Sequence, residues 1–227
     1  MWLILRVRPI CLSHRDKPLP GMNEAQLEEG GHIIGIITNQ EGDPLPNMAV
    51  KLYQYDETVD DWYSINDVQT DASGRYDIAG LTSGIYRVGF SDSEGRYLPE
   101  YYNNASDLEE ATDIAVTESE TTAGIDAQLA EGGHITGRVT ASDGSALPSV
   151  SIRVYRLDGN GEWVSAGYDY SDFDGSYDVI GLHTGVYRVG FSEWERRYLP
   201  EYYDDVANIE SATDLSVTQG QTTAGHE

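Results

Sequence analysis

The sequence predicts an all-β protein of two tandem antiparallel β-sandwiches, immunoglobulin-like or prealbumin-like, with about seven strands each. Three observations carry this reading. The first is an internal repeat: Gly84–Phe90 (Gly-Ile-Tyr-Arg-Val-Gly-Phe) returns as Gly185–Phe191 (Gly-Val-Tyr-Arg-Val-Gly-Phe), and Tyr-Leu-Pro-Glu-Tyr-Tyr returns from 97–102 to 198–203. The second is composition, with 24 Gly and 16 Tyr against 3 Phe and 3 Met, a vocabulary of turns and strands. The third is period-two alternation, which places Tyr86, Val88 and Phe90 on one face and Ile85, Arg87 and Gly89 on the other.

The repeat spacing locates the domains. His32 and His134 stand 134 − 32 = 102 apart, whereas Trp62 and Trp163 stand 163 − 62 = 101 apart. A one-residue indel therefore falls between Tyr53 and Trp62, and indels collect in surface loops. A period of about 100 residues is long for a solenoid unit, so each repeat is a domain in its own right. A domain of that size buries roughly two-thirds of its unfolded surface and needs no cross-link.

In chain order, residues 1–21 match nothing later and read as a disordered leader or a mis-assigned start. Residues 22–31 contain Ala25-Gln26-Leu27, an unpaired or donor strand. Repeat 1 runs over 32–131 and repeat 2 over 132–227. Each opens with a strand in which Ile33, Gly35 and Ile37, or Ile135, Gly137 and Val139, share a face. A turn comes next (Glu41 to Pro46; Asp143 to Pro148), then a strand with Val50 and Leu52, or Ile152 and Val154, inward. A third strand begins near Trp62 or Trp163. Asp71-Ala-Ser-Gly74 and Asp172-Phe-Asp-Gly175 are hairpin turns, since Gly accepts a positive φ and Asp closes the turn with its side chain. The Gly84 and Gly185 strands come after these turns. Residues 103–110 form a loop or one helical turn, and 112–117 and 121–129 are the last two strands.

These motifs carry a resemblance. Gly-x-x-Leu-Pro, Val-x-Leu-Tyr, Thr-Asp-x-x-Gly-x-Tyr and Gly-Leu-x-x-Gly-x-Tyr-x-Val over residues 24–227 resemble the carboxypeptidase-regulatory-like, prealbumin-like sandwiches, which are related to the Cna-B repeats of bacterial surface proteins. The resemblance implies a stalk, adhesin or accessory module. Some Cna-B members carry a Lys–Asn isopeptide bond; here Lys51 is answered by Arg153, whose guanidinium cannot form it.

The repeats are cut out of phase. Ile125-Asp-Ala-Gln-Leu129 reads as the final strand of repeat 1, with Ile125, Ala127 and Leu129 inward, while repeat 2 ends at His226-Glu227 without the Ala-Gln-Leu portion. Ala25-Gln26-Leu27 sits ahead of repeat 1 with no partner. This leaves two expectations: a piece of a longer array, or head-to-tail donation of that strand to the next molecule, which does not close on itself and grows a filament.

Charge and chemistry narrow the function. A net charge of −25 from 39 acids and 14 bases repels nucleic acid and anionic membranes. One cysteine, Cys11, forms no intrachain disulfide, no apolar run reaches a membrane span, and Trp2–Leu5, interrupted by Arg6 and Arg8, is a poor signal peptide. No repeated Ser/His/Asp or Cys/His set supports catalysis. Asp172, Asp174 and Asp178 resemble the start of a calcium loop without its closing acid, so the stretch reads as a hairpin turn or as a weak calcium site, and no other cofactor is expected. Tyr101, Tyr102, Tyr202 and Tyr203, with Trp194 nearby in sequence, either pack or stack on sugar rings. The expectation is a non-catalytic extracellular or cell-surface structural or adhesive module whose partners are copies or repeats of itself. A carbohydrate-binding accessory module of a secreted enzyme is the alternative.

Overall fold

The structure, a computed structural model, describes residues 27–224. Repeat 1 contains β1 (Gly31–Asn39), β2 (Ala49–Asp56), β3 (Asp61–Gln69), β4 (Arg75–Leu81), β5 (Gly84–Ser91), β6 (Glu100–Tyr101), β7 (Ile114–Val116), β8 (Thr121–Ala123) and β9 (Ala127–Leu129). Repeat 2 contains β10 (Gly133–Arg138), β11 (Ser151–Leu157), β12 (Trp163–Tyr170), β13 (Ser176–Leu182), β14 (Gly185–Ser192), β15 (Glu201–Tyr202), β16 (Leu215–Val217) and β17 (Thr222–Ala224), with a 3₁₀ turn at Ile209–Ser211.

Each repeat packs two sheets face to face. In repeat 1 one sheet runs β3-β2-β5-β6, with β7 also on β5, and the other runs β4-β1-β8, with β9 also on β1. Repeat 2 repeats this as β12-β11-β14-β15, with β16 on β14, against β13-β10-β17. The alternation read from sequence is the reason: Val50, Leu52, Tyr86, Val88 and Phe90 of one sheet meet Ile33, Ile37 and Ile78 of the other, all fully or almost fully buried. Ile152, Val154, Tyr187 and Val189 meet Ile135, Val179 and Leu182 in a separate second core.

Buried polar groups are satisfied in matching ways. Thr70 Oγ1 donates to the Leu45 carbonyl and accepts from the Met48 N–H, and Ser171 does the same with Leu147 and Val150. The Tyr86 and Tyr187 hydroxyls donate to the carbonyls of Thr82 and His183. The indel falls in the β2–β3 and β11–β12 hairpin turns, at the surface where length changes cost little.

The expected antiparallel sandwiches are present, with one refinement and one correction. Most strand pairs are antiparallel, but β8 and β9 run parallel to β1, and β17 runs parallel to β10. The chain crosses from one sheet to the other after β7, and so arrives beside β1 travelling in the same direction. The expected final strand 121–129 is also two strands. Gly124, at φ 81°, breaks it, and the Asp126 carboxylate accepts the Ile36 N–H at 2.9 Å in place of a ladder bond. The two-residue strands β6 and β15 carried no period-two signal at all.

Candidate functional site: the closing-strand groove

In repeat 1 the segment 125–129 closes the sandwich. Ala127, Gln128 and Leu129 stand in parallel register with Ile37, Thr38 and Asn39. The Ile125 N–H donates to the Ile34 carbonyl, and the Tyr76 hydroxyl donates to the Ile125 carbonyl at 2.5 Å. Burial first, and then the charge of Asp126, drive the Tyr76 phenol far above its ordinary range. Burial also raises the Glu100 carboxyl, against a backbone hydrogen bond from Gln128 that lowers it. Ile125, Ala127 and Leu129 all reach the core.

The equivalent surface of repeat 2 is a groove of about 530 Å³ lined by residues 137–140, Tyr177, Phe191 and residues 201–205. Among the described residues nothing occupies it. Its walls show the difference. Phe90 and Ile37 are 1% and 0% exposed, whereas their equivalents Phe191 and Val139 are only partly buried against the second core. Burial holds the Tyr177 phenol at about 12.

The segments ahead of the two repeats make matching contacts. Between them, the Glu131 carbonyl accepts the Gly220 N–H at 3.0 Å, and Gly132 presses so closely on Gly181 that a Cβ would lie 2.5 Å from its Cα. Ahead of repeat 1, the Glu29 carbonyl accepts the Ser119 N–H at 3.1 Å, and a Cβ on Gly30 would lie 2.5 Å from the Gly80 Cα. The segment 28–31 therefore crosses repeat 1 along the path by which 130–133 crosses repeat 2. Leu27, the start of that path, is 92% exposed. Ala25 and Gln26, expected above as an unpaired or donor strand, lie outside the described residues.

The tyrosines divide by role. Tyr101 and Tyr202 lie on the outer sheet face over Gly89 and Gly190, where a Cβ would meet the ring at 2.9 Å, beside Tyr53 and Tyr155 at centroid distances of 6.0 and 6.2 Å. Tyr102 and Tyr203 are packed against the two cores. Trp194 stands 94% exposed in the turn after β14. The aspartates also divide. Asp174 accepts the Ser176 N–H and hydroxyl, and Asp178 meets His134 Nδ1 at 3.0 Å, as Asp77 meets His32 at 2.8 Å in repeat 1. Asp172 shapes the turn with its backbone. Among the described residues no three His, Cys, Asp or Glu side chains converge on a metal position.

Sequence reasoning missed one constellation. The Arg87 guanidinium lies 4.2 Å over the Trp62 ring, donates to Asp113 at 2.7 Å, and donates to the carbonyls of Leu108 and Glu109. Arg188 does the same with Trp163, Asp214 and Ile209. It pins the loop before β7 or β16 to the outer sheet face. The signal was available, because Trp, Arg and Asp recur at the same spacing in both repeats.

No family model matches the chain. It is 29% identical over 172 residues to the Serine-aspartate repeat-containing protein D of Staphylococcus aureus (strain Newman), a stretch that covers 70% of the chain. The chain spans 12% of the length of that relative. Among solved structures it is similar to a streptococcal ancillary pilin, with TM-score 0.45, 15% identity and coverage of 86% of this chain and 62% of that one. It is also similar to a minor pilin of Streptococcus agalactiae, with TM-score 0.39, 13% identity and coverage of 87% and 97%. The resemblance to Cna-B-related sandwiches stands on the motifs and on the tandem architecture into which they fold.

Proposed function

We propose that the chain is a structural or adhesive β-sandwich module of the cell surface or extracellular space, linked head to tail by strand donation. In this reading Ala25–Leu27 of one copy lies in the repeat-2 groove of the next, as Ala127–Leu129 lies in repeat 1. The observation that carries it is the shared path of segments 28–31 and 130–133, each of which follows an Ala-Gln-Leu sequence in the chain. The driving force is ordinary burial. Completing the burial of the partly buried Phe191 contributes a fraction of the roughly 1.5–3 kcal/mol that full burial of such a side chain gives, and the strand adds backbone hydrogen bonds at a sheet edge. The surface location draws support from the motif resemblance, the similarity to the staphylococcal relative and the acidic composition. Glycan binding draws less support, since Tyr102 and Tyr203 are taken up in core packing and Tyr101 and Tyr202 in contacts across a glycine.

Light scattering after size exclusion, with negative-stain imaging of the same sample, tests this. Concentration-dependent multimers or thin filaments that disappear when residues 24–27 are deleted are the expected result. A monomer at all concentrations, in which a peptide of the 125–129 sequence leaves the melting of repeat 2 unchanged, refutes the reading.

A further inference from the structure

From the junction inside the chain we infer that the far end of repeat 2 is a docking surface for the near end of repeat 1 of a second copy. This rests on the strand-donation reading and adds a second, side-chain contact to it.

The internal junction shows what such a contact is. The turn after β5 places the Gly95 carbonyl against Gly181, where a Cβ would lie 2.5 Å from that oxygen. The Leu98 N–H donates to the Ala130 carbonyl at 2.9 Å, the Gly132 N–H donates to the Arg96 carbonyl at 2.8 Å, and Tyr97 bridges Glu131 between them. Leu98 is 6% exposed as a result. Burial, and then the charge of Glu131, raise the Tyr97 phenol.

Both halves of this junction recur without their partner. Gly80 has the backbone of Gly181, with φ 75° against 74°, yet a Cβ there would meet nothing within 4 Å. At the other end, the turn 193–196 copies the turn 92–95. The Arg196 N–H donates to the Glu193 carbonyl as Gly95 donates to Asp92, and Arg196 takes a left-handed φ of 54° where Gly95 has 74°. Leu199, the equivalent of Leu98, is 91% exposed, and Trp194, five residues earlier in the same connection, is 94% exposed.

The side chains at the contact are exchanged in size. In the internal junction the small Gly95 faces the large Ile180, whose Cδ1 is 4.0 Å from a Cβ built on that glycine. In the junction between copies the large Arg196 faces Ala79, the equivalent of Ile180. A bulky residue meets a small one in both, with the roles reversed, which fits close packing at each. The partner is therefore a second copy of this chain, seated through Gly80 and Ala79 on Trp194, Arg196 and Leu199.

Photo-crosslinking of the full chain tests this. Trp194 is replaced by p-benzoylphenylalanine in one preparation and Leu27 in another, each mixed with isotope-labelled chain so that crosslinks between copies are distinguished by mass. The expected result is crosslinks from position 194 to residues 78–81, and from position 27 to the groove walls 137–140 or Phe191. The position-194 crosslink is lost when the labelled copy carries Ala79→Arg. Groove crosslinks from position 27 with position 194 reacting elsewhere, or persistence of the 194 crosslink in Ala79→Arg, overturn the docking surface and leave strand donation standing. Absence of both sets of crosslinks refutes donation itself.

Discussion

Leu98 and Leu199 occupy the same place in the same Arg-Tyr-Leu-Pro-Glu-Tyr-Tyr motif, yet one is 6% exposed and the other 91%. The turns that hold them are alike, and so are the strands that precede them. The difference lies in the segment that follows: the linker Ala130–Gly132 runs along the first motif, with the Leu98 N–H donating to the Ala130 carbonyl. The lesson is that burial at the end of repeat 1 is supplied by segments that follow it in the chain, the closing strand and the linker.

Perturbing one side of this comparison should sharpen it. The largest effect is expected from Leu129→Ala, which removes a fully buried side chain from the closing strand of repeat 1. A loss of about 2–5 kcal/mol is expected in that repeat. Urea unfolding monitored by tryptophan fluorescence should then show repeat 1 melting no later than repeat 2. A loss of less than about 1 kcal/mol would mean that the closing strand is not what distinguishes them.

The second test asks where the repeats should behave alike. Arg87→Ala and Arg188→Ala each remove a stacked, hydrogen-bonded guanidinium of the same geometry. Each should cost about 1–3 kcal/mol, by equal amounts. A clear inequality in calorimetry would show that the loop is held differently in the two repeats.

Third, Gly80→Ala and Gly181→Ala share the strain of a positive φ, roughly 1–2 kcal/mol. Only Gly181→Ala also drives a methyl into the Gly95 carbonyl. In dilute, monomeric protein Gly181→Ala should melt several degrees lower than Gly80→Ala, on the scale of ~2–4 °C per kcal/mol. Equal melting temperatures would mean that the junction yields without cost.

The smallest effect concerns acid. Asp71 is held below the usual carboxylate range chiefly by the Arg75 and Ser73 backbone N–H groups, and Asp174 chiefly by the Ser176 hydroxyl and then its N–H. A lowered folded-state pKa gives stability that is present above the unfolded value of about 3.9 and lost as pH falls through the folded one. Asp71→Ala and Asp174→Ala should each flatten the fall in melting temperature below about pH 4 in its own repeat. An unchanged acid slope would assign that fall to other groups.

The sequence already made the sandwich legible. Inward Val50, Leu52, Tyr86, Val88 and Phe90 announced themselves by alternation, the hairpin turns by Asp and Gly, and the two repeats by near-identity. The closing segment was legible in content, since Ile125, Ala127 and Leu129 are buried as their spacing implied, but not in its break at Gly124 or its parallel pairing. Trp62 and Arg87 were also there to read, but a stack between residues 25 positions apart has no local pattern to betray it.

What the chain determined by itself was local: which residues face inward, where it turns, and that the same unit occurs twice. Those features arise from side-chain periodicity and from the few residues that tolerate a turn. Tertiary structure alone decided which of two identical motifs is covered. Burial depends on what arrives from elsewhere: Leu98 meets the linker at Ala130 and is buried, and Leu199 is exposed. The same physics set the parallel closing strand, because its direction is imposed by the sheet-to-sheet crossing rather than by any residue within it.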